Sequence, residues 1–118
     1  MTNAGINIDQ RSIILVPFPF SDLTGAKKRP ALVVSNTDFN IRNEDIICCL
    51  ITSNPTAKDS IKITNTDMES GFLEFESKIK PHRLFTVSKN IIYKNLGKLN
   101  KYKARLAASE ISKLVEIY

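Results

Sequence analysis

The sequence predicts a mainly β domain with a C-terminal helix, an α+β chain in which short strands close into a small barrel. Three observations carry this. Short β-branched runs recur and are stopped by proline, asparagine or polar turns. From Asn100 onward the spacing of apolar residues turns helical. No apolar run approaches the ~20 residues that a helix needs to cross a bilayer.

The first run, Ile13-Ile14-Leu15-Val16, meets Pro17-Phe18-Pro19-Phe20, and the prolines, lacking ladder donors, are expected to end the strand there. Ser21 to Lys28 is polar, with a turn glycine and two lysines, and reads as an exposed loop. Pro30 opens a second strand, Ala31 to Ser35, closed at Asn36; Asp38 to Asp45 is a polar connection. Ile46 to Thr52 is almost continuously apolar and too short for a buried helix, which suits a central strand covered on both faces. Ile61 to Thr64 alternates as a half-exposed strand, Asn65 to Gly71 is turn-like, and Phe72–Ile79 and Arg83–Val87 are two strands broken near Pro81. Asn100 is the N-cap of a helix of about four turns. Its apolar stripe, Tyr102, Leu106, Ile111, Leu114, Val115 and Tyr118, is expected to pack on the sheet.

One domain fits 118 residues, and a hydrophobic fraction of 42% with 25% charged residues is that of a soluble globular chain. Residues 1–10 are read as an N-terminal extension and 11–118 as the domain. The polar N-terminus has no hydrophobic signal segment, so the expected location is the cytoplasm, with no membrane partner. Cys48 and Cys49 are adjacent, point to opposite faces of a strand, and read as small buried hydrophobes. With one histidine and no spaced cysteine pair, no metal and no cofactor are expected. Residues 60–118 hold eleven Lys/Arg against six Asp/Glu and carry all of the net charge of +5, which suits a polyanionic partner.

The segment Ile13 to Ser35 resembles the N-terminal signature of the PemK/MazF family of toxin–antitoxin growth inhibitors. That signature is a hydrophobic strand, the end Val16-Pro17-Phe18-Pro19-Phe20, a polar loop, then Arg29-Pro30-Ala31 opening the next strand. Ile51-Thr52-Ser53 resembles a second hallmark, and Arg83 to Val87 with Leu96-Gly97-Lys98-Leu99 a third, so the likeness spans about residues 11–117. The family pattern usually begins its first strand with Gly-Asp, where this chain has Arg11-Ser12, and often has an acidic residue near the position of His82. The resemblance implies an SH3-like β-barrel, a homodimer, an antitoxin protein as partner, and metal-free cleavage of single-stranded RNA.

It also implies Arg29 and Thr52 as the catalytic pair. RNA carries its own nucleophile, the 2′-OH, so a metal-free site needs only to stabilise charge on the phosphoryl oxygens and to move protons. Arg29 offers a planar fork of donors, and Thr52 a hydroxyl. The expected RNA-contacting residues are Phe18 and Phe20 as stacking or core aromatics, Lys27 and Lys28 as phosphate contacts, and Ser53, His82 and Thr86. His82 is also a candidate base, with a surface or packing role as its alternative. Two other functions stand beside cleavage: a non-catalytic toxin of the same fold that binds DNA gyrase, as CcdB toxins do, and a degenerate member that only binds RNA.

Overall fold

The computed structural model describes residues 8–18 and 27–118, with the side chain of Phe18 excepted. Within them the chain runs β1 (Ser12–Phe18), β2 (Lys27–Val33), α1 (Thr37–Arg42), β3 (Asp45–Thr52), β4 (Ile61–Ile63), β5 (Met68–Gly71), β6 (Ser77–Ser88), β7 (Lys94–Leu99) and α2 (Lys101–Leu114). The strands form one antiparallel sheet in the order β4-β6-β3-β2-β1-β7-β5. Ile63 from β4 and Met68 from β5, at the two sheet edges, pack into the same apolar cluster. That meeting curls the sheet into the half-barrel of an SH3-like fold, with a C-terminal helix as expected.

Alternation along the strands builds two cores. The inner one joins Ile13, Leu32, Cys49, Ile51, Ile63 and Ile79 under Ala107 of α2. The outer one joins Ile14, Val16, Ala31, Val33, Ile46 and Cys48, closed by Ile8 and Val87. The adjacent cysteines thus lie on opposite faces. Burial, with Cys49 beside it, pushes the Cys48 thiol up to about 12, and burial does the same to Cys49, so both stay protonated and inert.

Several elements depart from the sequence reading. β1 runs through Pro17 because that proline's nitrogen faces the β7 side, as the Leu15 carbonyl does in accepting from Tyr93 N–H; the β1–β7 ladder has already ended at Leu15, so no bond is lost. Met68–Gly71, read as a turn, is β5, and Lys94–Leu99 is β7. Phe72–Glu76 is not strand, whereas the segments on either side of Pro81 are a single strand, β6. Its register against β3 shifts between Cys49 and Leu50, a bulge that absorbs Pro81, His82 and Arg83. The polar connection contains α1, capped by Asn36, whose side chain accepts from Phe39 N–H at 2.8 Å.

Asn100 does cap α2, accepting from Lys103 N–H at 2.9 Å. The helix face is the larger correction: α2 packs through Ala104, Ala107 and half-buried Ile111, while Tyr102, Leu114 and Val115 are 67%, 57% and 69% exposed. Small alanines let the helix approach β4 and β6 closely, and Lys103 fastens it by donating to Lys62 O at 2.7 Å.

Arg11 sits where the family pattern has glycine, and it adopts φ 78°, the left-handed region that glycine favours. Its guanidinium compensates by bonding Glu69 and Leu99 O, each at 2.8 Å. Gly71 and Gly97 pair across β5 and β7 with φ of 70° and 141°; a Cβ on either would overlap the opposite backbone, at Leu96 O or Ser70 O.

Candidate active site

Backbone direction decides where the Arg29–Thr52 pair can form. Alternate residues of a strand turn their N–H and C=O to the same neighbour. Val34 N–H donates to Ile47 O at 2.9 Å, so Leu32 and Pro30 also face β3. Pro30 has no N–H to give, and the β2–β3 ladder ends one residue earlier, at Ala31 opposite Leu50. Continuing that register sets Arg29 across from Thr52, two rows past the last ladder pair and one past Pro30.

Arg29 follows the parity of Ala31 and Val33, and Thr52 that of Leu50, Cys48 and Ile46. Both therefore belong to the outer face, where the second core gives way to a polar rim. Both are half-buried. Thr52 Oγ1 accepts from Asn54 N–H at 3.1 Å, which leaves its own O–H to donate outward. Among the described residues Arg29 has no ion pair, so its fork is not occupied by a carboxylate there.

The row extends further. Thr52 pairs with Lys78 on β6, and Lys78 with Lys62 on β4. Directly opposite residues of antiparallel strands share a face. Arg29, Thr52, Lys78 and Lys62 thus form a cross-strand row of three cations and one hydroxyl, in which the paired strands β3, β6 and β4 stand ~4.8 Å apart. Sequence reasoning missed Lys78 and Lys62, because nothing separates them from the other lysines of the basic half until the register is known.

The remaining expected residues are distributed unevenly. Lys27 is exposed and lies on the parity of Arg29. Lys28 falls on the opposite face of β2, its ammonium 4.4 Å from the centre of the Tyr93 ring. Ser53 is exposed just beyond Thr52. Phe20 and the side chain of Phe18 lie outside the described residues. His82 and Thr86 are not brought to the pair. His82 is carried by the β6 bulge to a groove of about 610 Å³ beside α2, lined by Ile61, Leu106, Glu110 and Lys113. Thr86 pairs with Ile47, five residues up β3 from Thr52, a separation of ~16 Å. Among the described residues no three His, Cys, Asp or Glu side chains gather as a metal site would need, and no helix is long and apolar enough to cross a membrane.

Residues 9–115 match the family of PemK-like, MazF-like toxins of type II toxin–antitoxin systems. The chain belongs to that family. No curated protein matches it. Solved structures of MazF-like proteins do. An endoribonuclease in complex with its cognate antitoxin, from a Mycobacterial species, superposes with a TM-score of 0.72 at 15% identity, over 95% of this chain and 97% of that one. MazE–MazF from Deinococcus radiodurans gives 0.76 at 14% identity, over 96% and 100%. Mycobacterium tuberculosis toxin MazF-mt6 gives 0.68 at 15% identity, over 87% and 94%. At such identities the likeness to other MazF-like chains is one of fold, and the chemistry has to be argued from this chain's own residues.

Proposed function

We propose that this MazF-like chain is a toxin that cleaves single-stranded RNA without a metal ion. The single observation that carries the reading is the Arg29–Thr52 row just past Pro30, where the ladder has ended and, among the described residues, Arg29 has no ion pair and the Thr52 O–H is left to donate on the same face. The 2′-oxygen attacks the adjacent phosphorus as its proton is lost, and the bond from phosphorus to the 5′-oxygen breaks. The products are a 2′,3′-cyclic phosphate and a 5′-OH. Arg29 holds the phosphoryl oxygens by two parallel N–H···O bonds and Thr52 donates its hydroxyl to the same group. Solvent takes the 2′-OH proton and supplies one to the departing 5′-oxygen in this scheme, because His82 faces the groove beside α2. Lys27 and Ser53 extend contact along the RNA backbone from the same rim. Lys28, on the other face of β2, and Phe18 and Phe20 are proposed as outer contacts to backbone and bases.

The same basic rim, walled by the outer apolar core, suits an acidic and partly apolar segment of an antitoxin, and the active form is proposed as a cytoplasmic homodimer. The test is cleavage of a long single-stranded RNA in EDTA, beside Arg29→Ala and Thr52→Ala variants, with the ends mapped. Discrete cuts with 5′-OH ends that both variants lose are expected. A folded wild type that cuts at no concentration overturns the reading, and trapped gyrase–DNA complexes would then redirect it to gyrase binding.

A further inference from the structure

Lys78 is the cation of the row whose donors are engaged by main-chain carbonyls, whereas Lys62 pairs with the Glu76 carboxylate at 3.2 Å. It stands directly opposite Thr52 and is half-buried. Its ammonium turns to main-chain carbonyls, donating to Pro55 O at 2.8 Å and more weakly to Ala57 O at 3.5 Å. No carboxylate pairs with it among the described residues.

Those carbonyls belong to the turn that holds Thr52. Asn54 gives its N–H to Thr52 Oγ1 at 3.1 Å. The Asn54 side-chain oxygen accepts from Thr56 N–H at 3.0 Å and from the Thr56 hydroxyl at 2.8 Å, and Ala57 N–H donates to Asn54 O at 3.2 Å. Every other hydrogen bond of residues 53–58 among the described residues is made within the loop or to its immediate neighbours; beyond the Asn54 bond to Thr52 at the end of β3, only Lys78 ties it to the sheet. A short polar segment held only by local turns reorients readily, and an ammonium bridging two carbonyls removes that freedom.

We propose that Lys78 is a positioning residue for the Thr52 hydroxyl, acting through the Pro55–Ala57 turn and Asn54, an inference that rests on Thr52 being the donor of the proposed cleavage. By fixing the turn, Lys78 fixes the Asn54 N–H, which holds Thr52 in one rotamer with its O–H directed into the row. Lys78 touches no reacting atom in this scheme.

The experiment compares Lys78→Met, Lys78→Arg and Asn54→Ala in two readouts. In steady-state RNA cleavage, Lys78→Met is expected to lower kcat by ~10–100-fold with KM and its salt dependence little changed, since misplacement of a donor by about 1 Å has that effect. Lys78→Arg keeps donors for the same carbonyls and should restore most of kcat, while Asn54→Ala should reproduce the loss with the charge intact. In NMR, the scalar couplings reporting the Thr52 side-chain rotamer should show one rotamer in wild type and Lys78→Arg, and averaging in Lys78→Met and Asn54→Ala. A loss in Lys78→Met that appears in KM and the salt slope makes Lys78 a phosphate contact and overturns the proposal. Unchanged Thr52 couplings overturn it as well. A wild type that does not cut RNA sinks the cleavage reading, and the couplings still decide the positioning.

Discussion

β1 begins and ends in two differently built neighbourhoods. At its start, Arg11 N–H donates to Val33 O, Leu99 N–H to Arg11 O, and the Arg11 guanidinium to Glu69 and Leu99 O; two glycines meet nearby across β5 and β7. At its far end the β1–β7 ladder has stopped at Leu15, and Pro30 has stopped the β2–β3 ladder beside it. The first neighbourhood closes these donors on the protein itself. At the second, among the described residues, the Thr52 O–H is left to donate outward and Arg29 has no ion pair. If the proposed cleavage runs at the second, stability and chemistry are separated, and a lesion at either end should move one without the other.

Gly97→Ala tests the closed end with the largest expected effect. Its Cβ would overlap Ser70 O at a φ of 141°, and the three atoms it would crowd are all backbone. A loss of about 4 kcal/mol or more in denaturant unfolding is expected, at the extreme of single substitutions. A loss below about 1 kcal/mol would mean that β5 and β7 separate freely. Arg29→Ala should do the reverse: a fall of ~10²–10³ in cleavage rate with unfolding free energy within about 0.5 kcal/mol of wild type. A variant that loses activity and stability together would abolish the contrast.

Arg11 sharpens it. Arg11→Gly relieves the positive φ but loses two hydrogen bonds, so a net loss of about 1 kcal/mol or less is expected, with Arg11→Ala clearly worse because it keeps the strain. Equal stabilities for the two variants would show that φ at this position is not strained. The thiols add a pH dependence. Their folded pKa lies above the unfolded value of 9.0, so the unfolded chain releases protons first and their contribution to stability, complete below pH 9.0, declines toward about 12. A Cys48→Val, Cys49→Ala double variant should unfold with a shallower alkaline decline than wild type. The smallest effect is expected from Lys27→Ala: weaker RNA binding for every sequence alike, with the salt slope reduced by about 0.7.

Much of this was legible in the sequence, and the failures have physical causes. β-branched runs bounded by prolines located β1, β2 and β3, because those strands bury both faces. β5 and β7 were not found: Met68–Gly71 and Lys94–Leu99 are edge-side strands held by backbone pairing and a glycine–glycine contact, which leave no apolar pattern. The helix was found and its face misjudged, since hydrophobicity ranks Leu106 and Tyr102 above Ala107, whereas close packing selected the alanine. Arg29 and Thr52 were singled out through the family resemblance, and the strand register sets them in one row, on which the proposed cleavage rests. His82 was singled out for its chemistry and Lys78 passed over for its commonness; only the bulge at Pro81 separates their fates, sending one toward α2 and leaving the other opposite Thr52.

Pro30 also changes how a lesion in this protein should be sought. Truncation scans look for contacts whose removal matters. Here the informative change is an addition: Pro30→Val would supply the amide that Ile51 O lacks from β2, zip the strands by one more rung, and narrow the gap between Arg29 and Thr52. The variant should be sturdier and slower, a molecule weakened as a catalyst by gaining a bond.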